Sequence, residues 1–273
     1  MSDRIFDELC KLVYTHSRIC LTSEKKQFLR SRLEKHRRDL KAVDWDTYLG
    51  MVTRSQDSIE IDTLIDLVAT NHTYFFREPS HFDRLSRDLL DSLVKQALDS
   101  KSQLQCWSVA ASSGEEAFSL AITLAEYARR NGPMQWSIFA TDISRLAIQK
   151  AQASVYQLNA LKLPSVALLP RYFKQGTGCY EGQCKVKDSL TQYVKFTQAN
   201  VFQKELPLPA RLDLIFCRNL LIYFDAPSQQ QLISRLEKML KPGGLLLIGH
   251  TESLFQTQHQ LEQLGGGIFR RPA

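Results

Sequence analysis

Residues 104–116 read Leu-Gln-Cys-Trp-Ser-Val-Ala-Ala-Ser-Ser-Gly-Glu-Glu. The apolar run at 104–110 predicts a buried strand, and it opens into four small residues, Ala111, Ser112, Ser113 and Gly114, before a helical pattern at 115–130. The same grammar repeats downstream. A second strand is expected at 136–140 and a helix at 144–153, then a strand at 212–217, a helix at 227–240 and a strand at 245–248. Gly265-Gly266-Gly267 reads as a turn into a short last strand at Ile268-Phe269-Arg270. Strands alternating with helices imply an α/β fold, a parallel sheet covered on both faces. Residues 172–198 break the pattern, with Gly176, Gly178 and Gly182 followed by short alternating runs at 184–187 and 193–196. They read as a small antiparallel sheet inserted in the main domain.

Upstream, the first 70 residues read as helices. Thr22 or Ser23 is the expected cap of a helix reaching Leu40, with Leu29, Leu33 and Leu40 as its buried stripe. Asp44 is expected to cap the next helix, through Tyr48 and Val52, and Ser58 another with Ile61, Leu64, Ile65 and Val68 apolar.

The chain has 273 residues, 44% of them hydrophobic and 23% charged, as in ordinary soluble domains. No apolar run is long enough to span a bilayer, and Met1–Glu8 carries acids without an apolar core, so a cytoplasmic location is expected. The six cysteines form no Cys-x-x-Cys pair, and neither a metal site nor a disulfide is expected. Residues 25–41 hold eight cations, Lys25, Lys26, Arg30, Arg32, Lys35, Arg37, Arg38 and Lys41, against Glu34 and Asp39. That net +6 equals the charge of the whole chain, so an acidic partner is expected at one place on the surface. Basic stretches lack interleaved aromatics, which argues against nucleic acid.

Open parallel sheets bind ligands beyond the carboxyl ends of their strands. The small residues after the first strand allow close backbone approach, yet they form neither a Gly-x-Gly-x-x-Gly nor a phosphate loop, and Glu115 and Glu116 disfavour a phosphate. Asp142, after the second strand, is placed to hold the two hydroxyls of a ribose or to cap the following helix. A ligand with ribose and no phosphate suggests S-adenosylmethionine. Its amino-acid tail needs a carboxylate partner, for which Arg77 is a candidate, and an ammonium partner, Glu115 or Glu116. Arg218-Asn219 emerge polar from an apolar strand, followed by Leu220-Leu221-Ile222-Tyr223-Phe224, and His250-Thr251-Glu252 close the next strand. His250 reads better as a hydrogen-bonded side chain than as a catalyst. There is no Gly-x-Ser-x-Gly, no His-Glu-x-x-His and no Asn-Pro-Pro-Tyr.

Taken in order, Asn71-His72-Thr73-Tyr74-Phe75-Phe76-Arg77-Glu78-Pro79, Ser113-Gly114-Glu115-Glu116, Ala140-Thr141-Asp142-Ile143, Phe216-Cys217-Arg218-Asn219, Lys241-Pro242-Gly243-Gly244 and Gly249-His250-Thr251-Glu252-Ser253 resemble the signatures of the bacterial chemotaxis receptor glutamate methyltransferases, the CheR family. The departures are small: Ala117-Phe118 stand where Pro-Tyr is frequent, and Ser112-Ser113 where Ser-Thr or Cys-Thr is usual.

The resemblance implies an all-α N-terminal domain at 1–72, a linker at 73–88 contributing to the cofactor site, a Rossmann-like S-adenosylmethionine-dependent methyltransferase domain at 89–273 and an inserted β-subdomain at 172–198. It implies a cofactor site of Asn71, Thr73, Arg77, Glu115 or Glu116, Asp142, Asn200, Val201, Arg218 and Asn219, with Asn200 reading the adenine amino group. Arg218 and Tyr223 are the candidates for orienting an acceptor carboxylate. The product would be a glutamate methyl ester, beside S-adenosyl-L-homocysteine. The expected partners are cytoplasmic helices of methyl-accepting chemotaxis receptors, docked through the basic helix at 23–40 on Lys26, Arg30 and Arg37. A receptor C-terminal pentapeptide is the expected partner of 172–198. Two other readings stay open: methylation of a different carboxylate, and a non-catalytic module that senses S-adenosylmethionine.

Overall fold

The computed structural model describes residues 1–54 and 59–272. Ser58, the expected helix cap, lies outside them.

The chain opens with four helices around one apolar core: α1 (Asp3–Ser17), α2 (Lys26–Asp39), α3 (Trp45–Arg54) and α4 (Ile59–Val68). Ser2 caps α1 by accepting from the Ile5 N–H, and Asp44 caps α3 by accepting from the Thr47 N–H at 2.8 Å. Neither Thr22 nor Ser23 caps α2 directly. Ser23–Lys25 winds a 3-10 turn first, and α2 starts one residue later. Leu29, Leu33, Tyr48, Val52 and Leu64 are fully buried between these helices.

A linker then leads into α5 (Pro79–Arg84), a π turn at Leu85–Leu89 and α6 (Leu90–Asp99). Its aromatics anchor it. Phe75 packs edge-on against Tyr156 and Phe173, Phe76 against Phe82, and the Phe76 N–H donates to Ser119 Oγ at 2.8 Å. The sheet domain follows as β1 (Leu104–Val109), α7 (Glu115–Asn131), β2 (Trp136–Asp142), α8 (Arg145–Ala153), β3 (Val155–Gln157), α9 (Leu168–Tyr172), β4 (Phe173–Gln175), β5 (Gln183–Val186), α10 (Asp188–Thr191), β6 (Val194–Gln198), β7 (Leu212–Cys217), α11 (Ala226–Met239), β8 (Leu240–Ile248), β9 (Glu262–Gly265) and β10 (Ile268–Arg270).

Seven strands form the main sheet in the order β6-β2-β1-β7-β8-β10-β9. The five from β6 to β8 run parallel, and β10 and β9 close the edge as an antiparallel hairpin. One apolar cluster, including Phe118, Leu120 and Phe216, covers one face; a second, including Trp107, Ile215, Leu232 and Leu236, covers the other. The chain runs outward from β1 through β2 to β6 and then returns to β7 on the other side of β1, so the ends of β1, β2 and β7 converge on one crevice.

The small antiparallel sheet exists, with the order β3-β5-β4, but its membership differs from the expectation. Its third strand is Val155–Gln157, upstream of 172. The alternating run at 193–196 instead enters the main sheet as edge strand β6, parallel to β2. Alternation marks a strand with one covered face, and either sheet offers that. Among the described residues no helix is long and apolar enough to cross a membrane.

Candidate functional site

A cavity of about 330 Å³ lies at the strand ends, bounded by the loops after β1, β2, β6 and β7 and by the linker. Its remaining wall is the helical domain, which contributes Ser17, Ile19, Leu21, Lys25 and Phe28. Nothing in the sequence pattern signalled that wall. Hydrogen bonds help to hold it: Tyr14 Oη donates to Asp225 Oδ2 at 2.8 Å, Asn200 Nδ2 to the His16 carbonyl at 2.7 Å, and the Cys20 N–H to the Tyr223 carbonyl at 2.9 Å.

Asp142 is the last residue of β2 and only 5% exposed. Its Oδ2 accepts from the Ser112 N–H and its Oδ1 from the Ser144 N–H, each at 2.8 Å, so it clamps the loops after β1 and β2 together. The helix cap itself is Ser144, whose Oγ accepts from the Ala147 N–H. Burial lifts the Asp142 carboxyl to about 6, against those two N–H donors. The loop it clamps is tight: Ala110, Ser112 and Gly114 all have positive φ. At Gly114 (φ +97°) a Cβ would sit 2.9 Å from Tyr156 Oη and 3.0 Å from Ala151 Cβ, so only glycine fits.

Of the two acids that start α7, Glu116 borders the cavity and Glu115 does not. Glu115 turns to Ser113 Oγ at 2.7 Å, beside a separate cleft against β3. Glu116 accepts from Ser108 Oγ at 2.7 Å and from Arg218 Nη1 at 3.1 Å. Successive helix residues point about 100° apart, so the pair was bound to split once the register was set. Burial raises both carboxyls.

Arg218 borders the cavity, but its side chain is 0% exposed and built into the frame. Nη2 donates to the Arg77 carbonyl and to Glu78 Oε2 at 3.0 Å, while Nη1 holds Glu116. Of its guanidinium, Nη1 and Nη2 are committed to these partners. Its Nε is buried with no partner among the described residues, a donor that a bound anionic group would satisfy. Glu78 also takes Asn219 Nδ2 at 3.1 Å and the His250 N–H at 3.2 Å. Burial would raise its carboxyl, but Asn219 and Arg218 outweigh burial and hold it low. Glu252 performs a parallel task, accepting from the N–H groups of Gly249 at 2.6 Å and of Asn219 and Leu221 at 2.7 Å. Asn219 sits at φ +57°, and this clamp holds it there. Both acids were visible in the sequence motifs, but nothing local gives them partners 141 and 33 residues away.

The remaining expected residues divide. Asn71, Thr73, Arg77, Val201, Asn219 and Tyr223 all border the cavity. Arg77 Nη1 donates to the His72 carbonyl at 2.9 Å, and the guanidinium makes no ion pair among the described residues. The Tyr223 hydroxyl makes no hydrogen bond among them. Asn200 borders the cavity with its side-chain amide already committed, Nδ2 to His16 and Oδ1 to the Phe202 N–H at 2.9 Å. One N–H of Nδ2 and one lone pair of Oδ1 remain for a ligand.

His250 Nε2 pairs with Ser80 Oγ at 3.0 Å. His81 Nε2 lies 2.6 Å from the Gly266 carbonyl and must carry the proton; burial first, then Arg218, push its pKa down to about 4. Glu78, His81 and His250 are near enough to hold a metal ion, but Glu78 is already neutralised by Arg218.

Residues 71–269 match the family model described as CheR methyltransferase, SAM binding domain, and residues 4–69 match CheR methyltransferase, all-alpha domain. The chain is 37% identical to the chemotaxis protein methyltransferase of Salmonella typhimurium, over 98% of this chain and 90% of that one. It is 35% identical to that of Escherichia coli, over 98% and 91%, and 34% identical to that of Borreliella burgdorferi, over 90% and 87%.

Proposed function

The chain belongs to the CheR methyltransferase family and carries its S-adenosylmethionine-binding domain, and from that premise we propose that it methylates glutamate side chains of chemotaxis receptors. One observation carries the reading: a single cavity collects the strand-end acid Asp142, the acid Glu116, the guanidinium of Arg77 and the unbonded hydroxyl of Tyr223. S-adenosylmethionine fits these groups, since a ribose diol, an ammonium and a carboxylate each find a complementary partner. When bound, it supplies a sulfonium methyl that a carboxylate accepts with no proton to remove, leaving a glutamate methyl ester and S-adenosyl-L-homocysteine.

Asp142 takes the ribose hydroxyls, Glu116 the ammonium, and Arg77, with the unpartnered Arg218 Nε, the carboxylate. Val201 and the backbone at Asn200 border the adenine. The acceptor glutamate is already ionised at neutral pH, so no general base is required of the protein. Its work is positioning and exclusion of water. Tyr223 donates to the acceptor carboxylate, and Glu78, Arg218 and Glu252 keep the Asn219–Tyr223 loop in place.

The receptor-docking face is the exposed side of α2, in a form revised from the expected triad. Lys26 is paired with Asp3 at 2.5 Å, and Arg37 is spent on Glu34 at 2.8 Å and the Ala42 carbonyl at 2.6 Å. Arg32 holds the carbonyls of Leu67 and Ala69 at 3.0 Å, closing the end of α4. Arg30, Lys35 and Arg38 remain exposed and carry the docking charge. A receptor C-terminal pentapeptide is proposed to add as a strand to the small sheet, whose outer strands β3 and β4 each have an open edge. Arg171 and Lys187 are engaged with Glu126 and the Pro170 carbonyl, which leaves Lys185 for an acidic peptide.

The test is transfer of radiolabelled methyl from S-adenosylmethionine to receptor-containing membranes, with Asp142→Ala as control. Base-labile label on the receptor, lost in the variant, is the expected result. Absence of transfer by the wild-type chain overturns the reading.

A further inference from the structure

We propose that the cleft on the outer side of the loop after β1 is a second peptide site. An extended segment of a partner protein pairs there with β3 and sets a lysine or arginine side chain against Glu115. This site does not depend on the methyltransferase reading above.

The cleft holds about 260 Å³ and is bordered by the linker at Thr73 and Tyr74, by β3, and by Ser113 and Glu115. One side of it is an unpaired strand edge. In the antiparallel ladder of β3 with β5, Tyr156 stands opposite Cys184. The flanking bonds fix which groups face inward: the Val186 N–H donates to the Ser154 carbonyl at 3.0 Å, and the Leu158 N–H to the Gly182 carbonyl at 2.8 Å. Hydrogen-bonded pairs alternate with non-bonded ones along such a ladder, so Ser154, Tyr156 and Leu158 turn their main-chain groups to β5. Val155 and Gln157 turn theirs outward, where neither makes a main-chain hydrogen bond among the described residues. Both border the cleft. An edge with two free donors and two free acceptors is a template for an added strand.

Glu115 sets the charge of that strand. One of its carboxylate oxygens accepts from Ser113 Oγ at 2.7 Å, and the other accepts from no other residue among those described. Burial raises the carboxyl against the opposing pull of Ser113 and Lys150. Lys150 borders the cleft as well, yet it forms no ion pair with Glu115, and Lys162 lies on the Tyr74 ring, 4.0 Å from its centroid. A cation touching the free oxygen is thus a contact that the chain itself leaves unmade. Tyr74 and Leu161 offer apolar surface to the stem of a lysine or arginine that makes it. An acidic residue in the same place would meet Glu115 as a like charge, so the site selects against acidic peptides.

The experiment titrates the full, isotope-labelled chain with the peptide acetyl-Thr-Val-Arg-Val-Thr-amide, and with versions carrying glutamine or glutamate in place of the arginine. The amide resonances of Val155 and Gln157 are expected to shift as their free N–H groups gain acceptors. The arginine peptide should bind about fivefold tighter than the glutamine one, the scale of one partly exposed ion pair, and the glutamate one weakest. Glu115→Gln keeps an acceptor for Ser113 and should erase that order; Lys150→Ala should sharpen it. Gln157→Pro tests the edge. The backbone there has φ −73°, which proline adopts, and the N–H removed serves no bond to β5. Binding of every peptide should therefore fall about tenfold or more with the fold kept, as thermal unfolding verifies. Three results overturn the proposal: no shift at Val155 and Gln157 with millimolar peptide, shifts confined to the opposite edge strand β4, or equal affinity for the arginine and glutamate peptides. If Gln157→Pro does not fold, the order of the three peptides on wild type and Glu115→Gln still decides. Methyl transfer enters none of these readouts, so failure here leaves the methyltransferase reading standing, and the converse holds.

Discussion

In the proposed site Asp142 carries two duties that separate by pH, clamping two loops and holding a ribose. Hydroxyls donating to a carboxylate favour its ionised form, so a carboxyl lifted to about 6 must release its proton as a ribose binds. S-adenosylhomocysteine affinity is expected to fall about tenfold per pH unit below 6, and Asp142→Asn to bind weakly with a flat pH profile; calorimetry between pH 5 and 8 measures both. In the ligand-free fold the sign is the reverse. A raised acid lends stability that is full below the ordinary carboxylate range and is lost as pH rises through about 6. The two arginines give a second contrast. Arg218→Ala strands Glu78 and Glu116 without their cation and should cost about 3–5 kcal/mol in thermal or denaturant unfolding. Arg77→Ala removes only a carbonyl contact, so stability should change by less than about 0.5 kcal/mol while S-adenosylhomocysteine binding weakens by about 1–3 kcal/mol. If Arg77→Lys fails equally, the planar fork matters and not the charge alone.

The basic helix shows how an element divides its labour. Eight cations in 25–41 looked like one surface, but Arg32 and Arg37 cap neighbouring backbone and Lys26 meets Asp3. Helical spacing put Lys26 and Arg37 on one side; it did not say that α1 and the turn after α2 stand against that side. Charge reversal at Arg30, Lys35 and Arg38 is therefore expected to raise the receptor KM, most strongly at low ionic strength, with S-adenosylhomocysteine affinity intact. Reversal at Arg37 should instead lower stability, because it sets an acid against Glu34 and releases the Ala42 carbonyl. The loop after β1 is the opposite case, an element with no tolerance. Gly114→Ala meets Tyr156, Ala151 and Phe196 within about 3 Å and should cost roughly 1–3 kcal/mol, read as a lowered Tm.

Across the molecule the cavity proposed for the cofactor is a joint between the helical bundle and the sheet domain. The helical bundle walls it through Ile19, Leu21 and Phe28, and Ile19 also packs with both the bundle core and one sheet-face cluster. A ligand in that joint stabilises whatever must stay together to hold it. S-adenosylhomocysteine at about 100 times its Kd should add about 2.7 kcal/mol, and calorimetric unfolding should show one merged transition moving up in temperature. Two transitions, with only one shifted, would mean that the bundle wall contributes nothing to binding. Tyr14→Phe, which removes the bond to Asp225, is expected to weaken that coupling by about 1 kcal/mol.

The sequence by itself determined the alternation of strands and helices, the acid at the end of β2, the apolar stripes of the helical bundle and the family, because each is written in local spacing or in an ordered run of motifs. Asn71, Thr73, Arg77, Asp142, Asn219 and Tyr223, all named from the sequence, line one cavity, and for Asp142 and Asn219 the reason is that residues which follow parallel strands gather at one end of the sheet. Only the tertiary structure decided which of Glu115 and Glu116 borders the cavity, that Arg218 pairs with Glu78 and Glu116, that Asn200 Nδ2 donates to the His16 carbonyl, and that 193–196 joins the main sheet. Each of these turns on a partner far along the chain, and the pairing energy of a polar group lives in that partner. A sequence shows which groups carry charge and hydrogen bonds; the fold alone shows which of them are already satisfied and which are left free to bind.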